Sequence, residues 1–203
     1  VMIASECAPV AKVGGLADVV FGLSRELEIR GHAVEIILPK YDCMRDDQVW
    51  GLHVVDHELS VPWDGGAISC TVWFGFAHGR KCFFIEPRSA QGYFDRGTYY
   101  GFWDDPERFA FFSKAALEFL LKSHKRPDVI HTHDWQTALV PVLLYEMYAG
   151  AGLADQRVCH TIHNFRHQGT TGPGILQASG LNRPDYFGAP DRMGDEFDRH
   201  SIN

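Results

Sequence analysis

Two adjacent glycines, Gly14 and Gly15, stand where a short apolar run hands over to a long amphipathic segment, and this junction constrains the fold more than any other stretch. Val1 to Ala4 reads as a buried strand. From Leu16 onward, Leu16, Val19, Val20, Leu23 and Leu27 recur at helical spacing, and Arg30-Gly31 supplies a basic last turn and a glycine stop. Val34 to Leu38 follows as a second strand, closed by Pro39. A strand, a helix and a strand of these lengths make a β-α-β unit with parallel strands and a right-handed crossover. The turn inside it suits an anion. Paired glycines let backbone N–H groups approach a ligand, the helix start carries partial positive charge, and Lys12 adds a full one. The competing reading is that Gly-Gly serves only close packing of helix on strand. The spacing also lacks the G-x-G-x-x-G of a dinucleotide site, which weakens an oxidoreductase reading.

Strand-like runs at Leu52 to Val61, Ile68 to Phe76 and Lys81 to Ile85 are separated by Asp64-Gly65-Gly66 and His78-Gly79-Arg80 turns, so an antiparallel excursion is expected there. Pro87 to Pro106 is a long loop rich in aromatics and glycine, either functional or simply pinned to the surface by its rings. Glu107 to Lys125 reads as a helix with Phe109, Phe112, Ala116, Phe119 and Leu120 on one face. Pro127 to His131 reads as a strand. Trp135 to Tyr148 reads as a helix that Pro141 should kink or break. Arg157 to Ile162 is again a strand, followed by a short helical piece near Ile175 to Ser179 and a polar loop from Gly180 to Asn203. Strands and helices therefore alternate at both ends around an antiparallel insert, which predicts an open, mostly parallel α/β sheet.

The chain has 203 residues, long enough for one sizeable core, and its net charge of -7 argues against a general affinity for nucleic acid or anionic membranes. Its five cysteines are scattered and lack a C-x-x-C pair, so reduced thiols and a cytoplasmic setting are expected. No stretch approaches a membrane span. The polypeptide starts directly in a strand and stops at Asn203 without an end signal, as expected of part of a longer protein.

In an open parallel sheet, ligands sit outside the carboxyl ends of the strands. Three such ends carry unusual chemistry: the glycine turn, His131-Thr132-His133-Asp134-Trp135, and Thr161-Ile162-His163-Asn164. The first histidine pair, with His160 and His163, could instead serve a metal-dependent hydrolase. A purely structural role for His131 is the plainer reading. Asp134 is a good helix N-cap, which is compatible with contacting a ligand. His163, with Asn164, Gln168 and Gly169, follows a strand where polar side chains are not needed for packing, although such a histidine is often only hydrogen-bonded structure.

Ser5 to Pro9 followed by Lys12 to Val19 closely resembles the N-terminal signature of bacterial glycogen synthases and plant starch synthases. Tyr99-Tyr100-Gly101, Glu107 to Glu118, His131 to Gln136 and Thr161 to Gly169 resemble the later blocks in the same order, and Phe165-Arg166-His167 with Tyr41 to Met44 looks most like the cyanobacterial branch. The resemblance implies the N-terminal, Rossmann-like, acceptor-side half of a GT-B fold, spanning residues 1–203 as one domain, with the nucleotide-binding domain beyond it. It implies transfer of glucose from ADP-glucose, or UDP-glucose in some relatives, to the non-reducing end of an α-1,4-glucan with retention of configuration, and no metal or cofactor. Lys12 and Gly15 match positions that contact the donor diphosphate or the sugars beside it. Asp134 matches an acidic site residue, and His163 matches a histidine that stabilises developing oxocarbenium charge. Gly14, Asp18, Asn164 and Gln168 complete the expected substrate contacts. The family's second lysine and glycine motif, its base pocket and its C-terminal glutamate are expected beyond Asn203, so the 203 residues alone are expected to be inactive. The alternative is a glucan- or sugar-phosphate-binding domain without turnover.

Overall fold

The computed structural model describes residues 1–187. Seven strands form one sheet in the order β3-β4-β5-β2-β1-β6-β7. They are β1 (Met2–Ile3), β2 (Glu35–Pro39), β3 (Val49–Trp63), β4 (Gly66–Ala77), β5 (Arg80–Pro87), β6 (Val129–His133) and β7 (Arg157–Thr161). The short central β1 is held on both sides, with Met2 opposite Ile36 of β2 and His131 of β6. All pairings are parallel except those of β4, which runs against both β3 and β5. The expected antiparallel excursion is thus a single reversed strand, and β3 regains the common direction. Its two hairpins turn at Asp64-Gly65 and His78-Gly79, all four with positive φ. That geometry matches the twist of the paired strands and explains the glycine in each turn.

Helix α1 (Gly15–Ile29) joins β1 to β2 as expected. Leu16 and Val20 are buried, but Val19 faces solvent beside Asp18, so the apolar stripe is narrower than its spacing implies. Pro39 is the last residue of β2, paired with Ile85, and the Lys40 N–H carries that ladder one step further to the Ile85 carbonyl at 2.8 Å. The long helix α2 (Asp105–Lys122) buries far more than one face: Arg108, Ser113 and Lys114 are enclosed with Phe109, Phe112, Ala116, Phe119 and Leu120. Burial lowers the Lys114 pKa, and its Nζ is satisfied by the Ser179 carbonyl at 2.6 Å.

The expected helix over 135–148 is broken. A 3-10 turn spans Trp135–Thr137, α3 covers Leu139–Leu143, a π turn covers Leu144–Tyr148, and α4 is Ala149–Ala151. Pro141 lies in the first turn of α3, where a missing backbone donor costs little, so the chain restarts its helix around the proline. A further short helix, α5, is Gly174–Ala178. A 3-10 turn at Pro184–Phe187 interrupts the expected polar loop, whose residues 188–203 lie outside the described ones.

The aromatic loop is both pinned and open. Buried Arg108 donates to the carbonyls of Tyr93 (2.9 Å) and Tyr99 and to Asp105 (2.8 Å), and Arg96 grips Asp104 at 2.5 and 2.7 Å. Tyr93 and Phe94 are buried in consequence, whereas Trp103 projects into solvent. No helix among the described residues is long and apolar enough to cross a membrane, and all five cysteines are free thiols.

Candidate active site

From β1 the chain crosses through α1 to β2 on one side, whereas β6 flanks β1 on the other. Strand order therefore diverges between β1 and β6, the position at which open α/β sheets leave a crevice at their carboxyl edge. The glycine turn lies at the end of β1, Asp134 at the end of β6 and His163 just past the end of β7. All three predicted clusters are brought to one edge on adjacent strands.

The first wall is the glycine turn. Gly14 is the N-cap residue of α1, Gly15 its first residue, and both are exposed. Neither has positive φ, and a Cβ on either would meet nothing within 4 Å. Close packing is therefore not the reason for these glycines, and the open space above them is available to a ligand. Part of the expected anion cradle is already used: Glu6 Oε2 accepts the N–H groups of Val13 (2.7 Å) and Gly14 (3.0 Å). Glu6 is only 4% exposed, and its Oε1 accepts the Tyr100 hydroxyl at 2.7 Å, which also reaches Ser5 Oγ at 2.9 Å. Burial, the neighbouring Tyr41 and the Glu6 carboxylate push the Tyr100 pKa upward, so it remains a donor. Lys12 is not a free cation, because its Nζ contacts both carboxylate oxygens of Asp18, at 2.7 and 2.9 Å. Both partners are about half exposed (49% and 58%). Such a half-exposed pair is worth little in water.

The second wall is buried at its β6 end, where His133 and Asp134 are enclosed, and exposed along β7. The strand β6 runs two residues beyond His131, which places His131 and His133 on the same face, their rings stacked at 4.2 Å. His133 Nδ1 lies 3.0 Å from His163 Nε2, and those rings also stack, at 5.3 Å between centroids. Burial, then the neighbouring His131, His163 and His160, lower the His133 pKa to about 3. Burial, then His163, His160 and the N-terminal ammonium, lower that of His131. His131 Nε2 is 2.7 Å from Thr161 Oγ1, and His160 Nδ1 is 2.8 Å from Thr132 Oγ1.

Asp134 precedes a helical turn but its side chain caps nothing. Its Oδ1 instead accepts the N–H of His163 at 2.6 Å and, more weakly, that of Asn164 at 3.4 Å. Its backbone is strained, at φ 55° and ψ -177°, a region that a residue with a side chain occupies at a cost of about 1–3 kcal/mol. Thr137 Oγ1 braces the turn by exchanging hydrogen bonds with the His133 main chain.

Asn164 and Gln168 lie in the exposed loop that follows. Asn164 Oδ1 accepts the Arg166 N–H at 2.9 Å, and Gln168 Nε2 donates to the Phe165 carbonyl at 3.2 Å, so both amides shape the loop itself. Gly169, at φ 64°, lies against Trp135 so closely that a Cβ would fall 2.1 Å from the ring. Trp135 in turn meets Phe109 edge-on at 5.5 Å, and Phe109 meets Tyr100 at 5.7 Å. A continuous aromatic contact thus joins the two walls.

The residues beyond the predicted set are Glu6, Tyr100 and His133. The only local signal for Glu6 was a carboxylate directly after a buried strand. The hydrolase alternative lacks a ligand set: among the described residues no group of three or more His, Cys, Asp or Glu side chains is arranged to hold a metal ion. The four histidines spend ring nitrogens on threonines and on one another.

A family model described as "Starch synthase catalytic domain" matches residues 1–200. Glycogen synthase 1 of a Synechococcus strain is 66% identical over 203 residues, all of this chain and 41% of the relative. Glycogen synthase 2 of Methylococcus capsulatus is 67% identical over 198 residues, 98% of this chain and 41% of the relative. Among solved structures, the "Catalytic domain of Starch Synthase IV from Arabidopsis thaliana bound to ADP and acarbose" superposes with a TM-score of 0.91 at 49% identity, covering 96% of this chain and 39% of that one. The chain thus spans about two fifths of the length of the bacterial relatives it matches.

Proposed function

This chain belongs to the family of starch synthase catalytic domains, and on that premise we propose that it is the N-terminal, acceptor-side half of a GT-B glucosyltransferase. The enzyme transfers glucose from ADP-glucose to the non-reducing end of an α-1,4-glucan, with retention of configuration, in the cytoplasm. The ADP bound to the Arabidopsis structure supports an adenine nucleotide as the donor. The observation that carries the reading is the lock between neighbouring strand ends, in which the Asp134 carboxylate holds the His163 main chain and buried His133 holds its ring.

That lock sets the roles. His133 Nε2 is buried with no partner among the described residues, and a bare buried acceptor costs less than an orphaned buried donor. His133 therefore carries its proton on Nδ1 and donates to His163 Nε2, which leaves the His163 Nδ1–H to meet a sugar hydroxyl in the crevice. Asp134 supplies fixed negative charge beside the carbon where oxocarbenium charge develops, an arrangement that needs no reorganisation during the reaction. Across the crevice, Lys12 leaves Asp18 to meet donor phosphate, and the side-chain-free surface of Gly14 and Gly15 lets the donor approach the backbone. Asn164 and Gln168 hold the loop that receives the acceptor.

The donor's nucleotide wall lies outside these 203 residues, so the chain alone transfers no glucose, because the transition state is assembled from both walls. The test is incorporation of labelled glucose from ADP-glucose into maltoheptaose. Activity in the full-length protein and none in the 203-residue chain is expected. Transfer by the 203-residue chain alone contradicts the two-wall account, and binding of maltoheptaose without transfer by the full-length protein contradicts the enzyme reading.

A further inference from the structure

Two blocks singled out in the sequence take no part in the proposed chemistry: Ser5-Glu6 after β1, and Tyr99-Tyr100 in the aromatic loop. The fold brings them together. The Tyr100 hydroxyl donates to Glu6 Oε1 at 2.7 Å and lies 2.9 Å from Ser5 Oγ, while the Tyr41 hydroxyl donates to the Ser5 carbonyl at 3.0 Å. Tyr41 is fully buried, edge-on against Phe94 at 5.3 Å and Tyr99 at 4.8 Å. Arg108, enclosed in α2, donates to the Tyr99 carbonyl, so the segment that carries Tyr100 is held from the other side as well.

Glu6 Oε2 accepts the N–H groups of Val13 and Gly14, the two that directly precede α1. A helix start is ordinarily capped by the side chain of its own N-cap residue, most often Ser, Thr, Asp or Asn. Gly14 holds that position and has no side chain to offer. The carboxylate comes from a buried residue eight positions upstream. Negative charge is favourable beside a helix N-terminus, but burying it costs desolvation that an exposed serine at position 14 would not incur. The buried arrangement leaves the face above the turn free, the space in which a Cβ on Gly14 or Gly15 meets nothing within 4 Å. The turn is therefore held from beneath and bare on the ligand side. The first helical N–H groups, from Gly15 onward, lack intrahelical partners and remain open to a ligand.

The three donors to Glu6, two backbone N–H groups and a phenol, are all neutral. Geometry and charge are therefore separable by substitution. A glutamine amide oxygen has two lone pairs and can accept both N–H groups, while its NH2 donates to the Tyr100 oxygen. An alanine leaves both N–H groups without the acceptor that fixes them.

We propose that Glu6, locked by the Tyr100 hydroxyl, is a positioning residue for donor binding: it holds the glycine turn from beneath, so that the bare face of Gly14 and Gly15 keeps the shape that receives the sugar nucleotide. The proposal rests on the nucleotide-sugar donor assigned above. Neither residue touches the donor. Their effect passes through the Val13 and Gly14 main chain, and it ties the donor wall to the aromatic loop by way of Tyr100.

The test is titration calorimetry of ADP-glucose with the full-length protein, with thermal melts of each variant in parallel. Glu6→Ala is expected to weaken donor binding about tenfold, and Tyr100→Phe, which leaves Glu6 in place and removes only the hydroxyl that locks it, about fivefold. Glu6→Gln is expected to stay within about threefold of wild type, because the amide rebuilds the same hydrogen bonds. Wild-type affinity in Glu6→Ala, whatever its melting temperature, confines Glu6 to the stability of the fold and overturns the proposal. Glu6→Gln binding as weakly as Glu6→Ala assigns the effect to charge instead of shape and overturns it as well. If Glu6→Ala does not fold, Tyr100→Phe decides, and wild-type affinity there is the contrary result. Wild-type protein that binds no ADP-glucose overturns the donor assignment itself, whereas unchanged binding across the three variants overturns only the role of Glu6.

Discussion

The two walls of the crevice are built to opposite standards. The turn after β1 is exposed, its glycines meet nothing, and its one cation is tied to a solvated carboxylate. The end of β6 is buried and grips the exposed end of β7, with a strained Asp134 backbone, a main-chain hydrogen bond at 2.6 Å and a ladder of stacked imidazoles. A wall that must admit and release a charged ligand gains from weak, exchangeable contacts. A wall that faces developing charge gains from groups already fixed in place. Substitutions on the two walls should therefore separate effects on binding from effects on turnover.

The largest effect is expected on the histidine side. Asp134→Ala removes both the charge and the grip on His163, and kcat in the full-length enzyme should fall about 10³-fold with the glucan KM changed little. Asp134→Asn keeps an oxygen for the His163 N–H but not the charge. A kcat intermediate between wild type and Asp134→Ala separates positioning from electrostatics, and wild-type turnover in either variant breaks the comparison.

Next comes a pH dependence of stability. His133 has a folded pKa of about 3, below the unfolded value near 6.5. The unfolded chain therefore binds the proton more readily, and stability is lost as pH falls from about 6.5 towards 3. Each pH unit in that window costs about 1.4 kcal/mol, so the loss should reach about 2 kcal/mol at pH 5. Denaturant melts at pH 7 and pH 5 measure it, and His133→Phe should flatten the profile. An unchanged slope in that variant would show that the His133 proton is not what the fold excludes.

On the open side the effects are smaller and fall on binding. Gly15→Ala should leave stability unchanged or slightly raised, since its Cβ meets nothing and alanine favours the helix, while ADP-glucose affinity drops about tenfold in titration calorimetry. A stability loss with unchanged affinity would restore the packing explanation for the glycines. Lys12→Ala should cost under about 0.5 kcal/mol of stability and weaken donor binding several-fold. Equal donor affinity in this variant would remove Lys12 from the phosphate contact.

Much of this was legible in the sequence where the signal is local. The β-α-β unit, the hairpin turns at Asp64 and His78, and the three polar strand ends all follow from periodicity and turn chemistry within about ten residues. The lock itself was not legible, because its partners are brought together by strand order. Glu6 meets Tyr100 across 94 residues, and His133 meets His163 across 30. Nothing near Asp134 announces that it abandons the N-cap position to hold another strand's main chain. The burial of Arg108 was equally hidden, since its partners are loop carbonyls that the aromatic loop presents only once folded.

Whether the histidine wall acts on the transition state is decided by how the His163→Ala effect divides between kcat and KM in the full-length enzyme with maltoheptaose as acceptor. The account predicts kcat lower by about 10²-fold and a KM within about threefold of wild type. An unchanged kcat with a raised KM would make His163 a binding residue and contradict it.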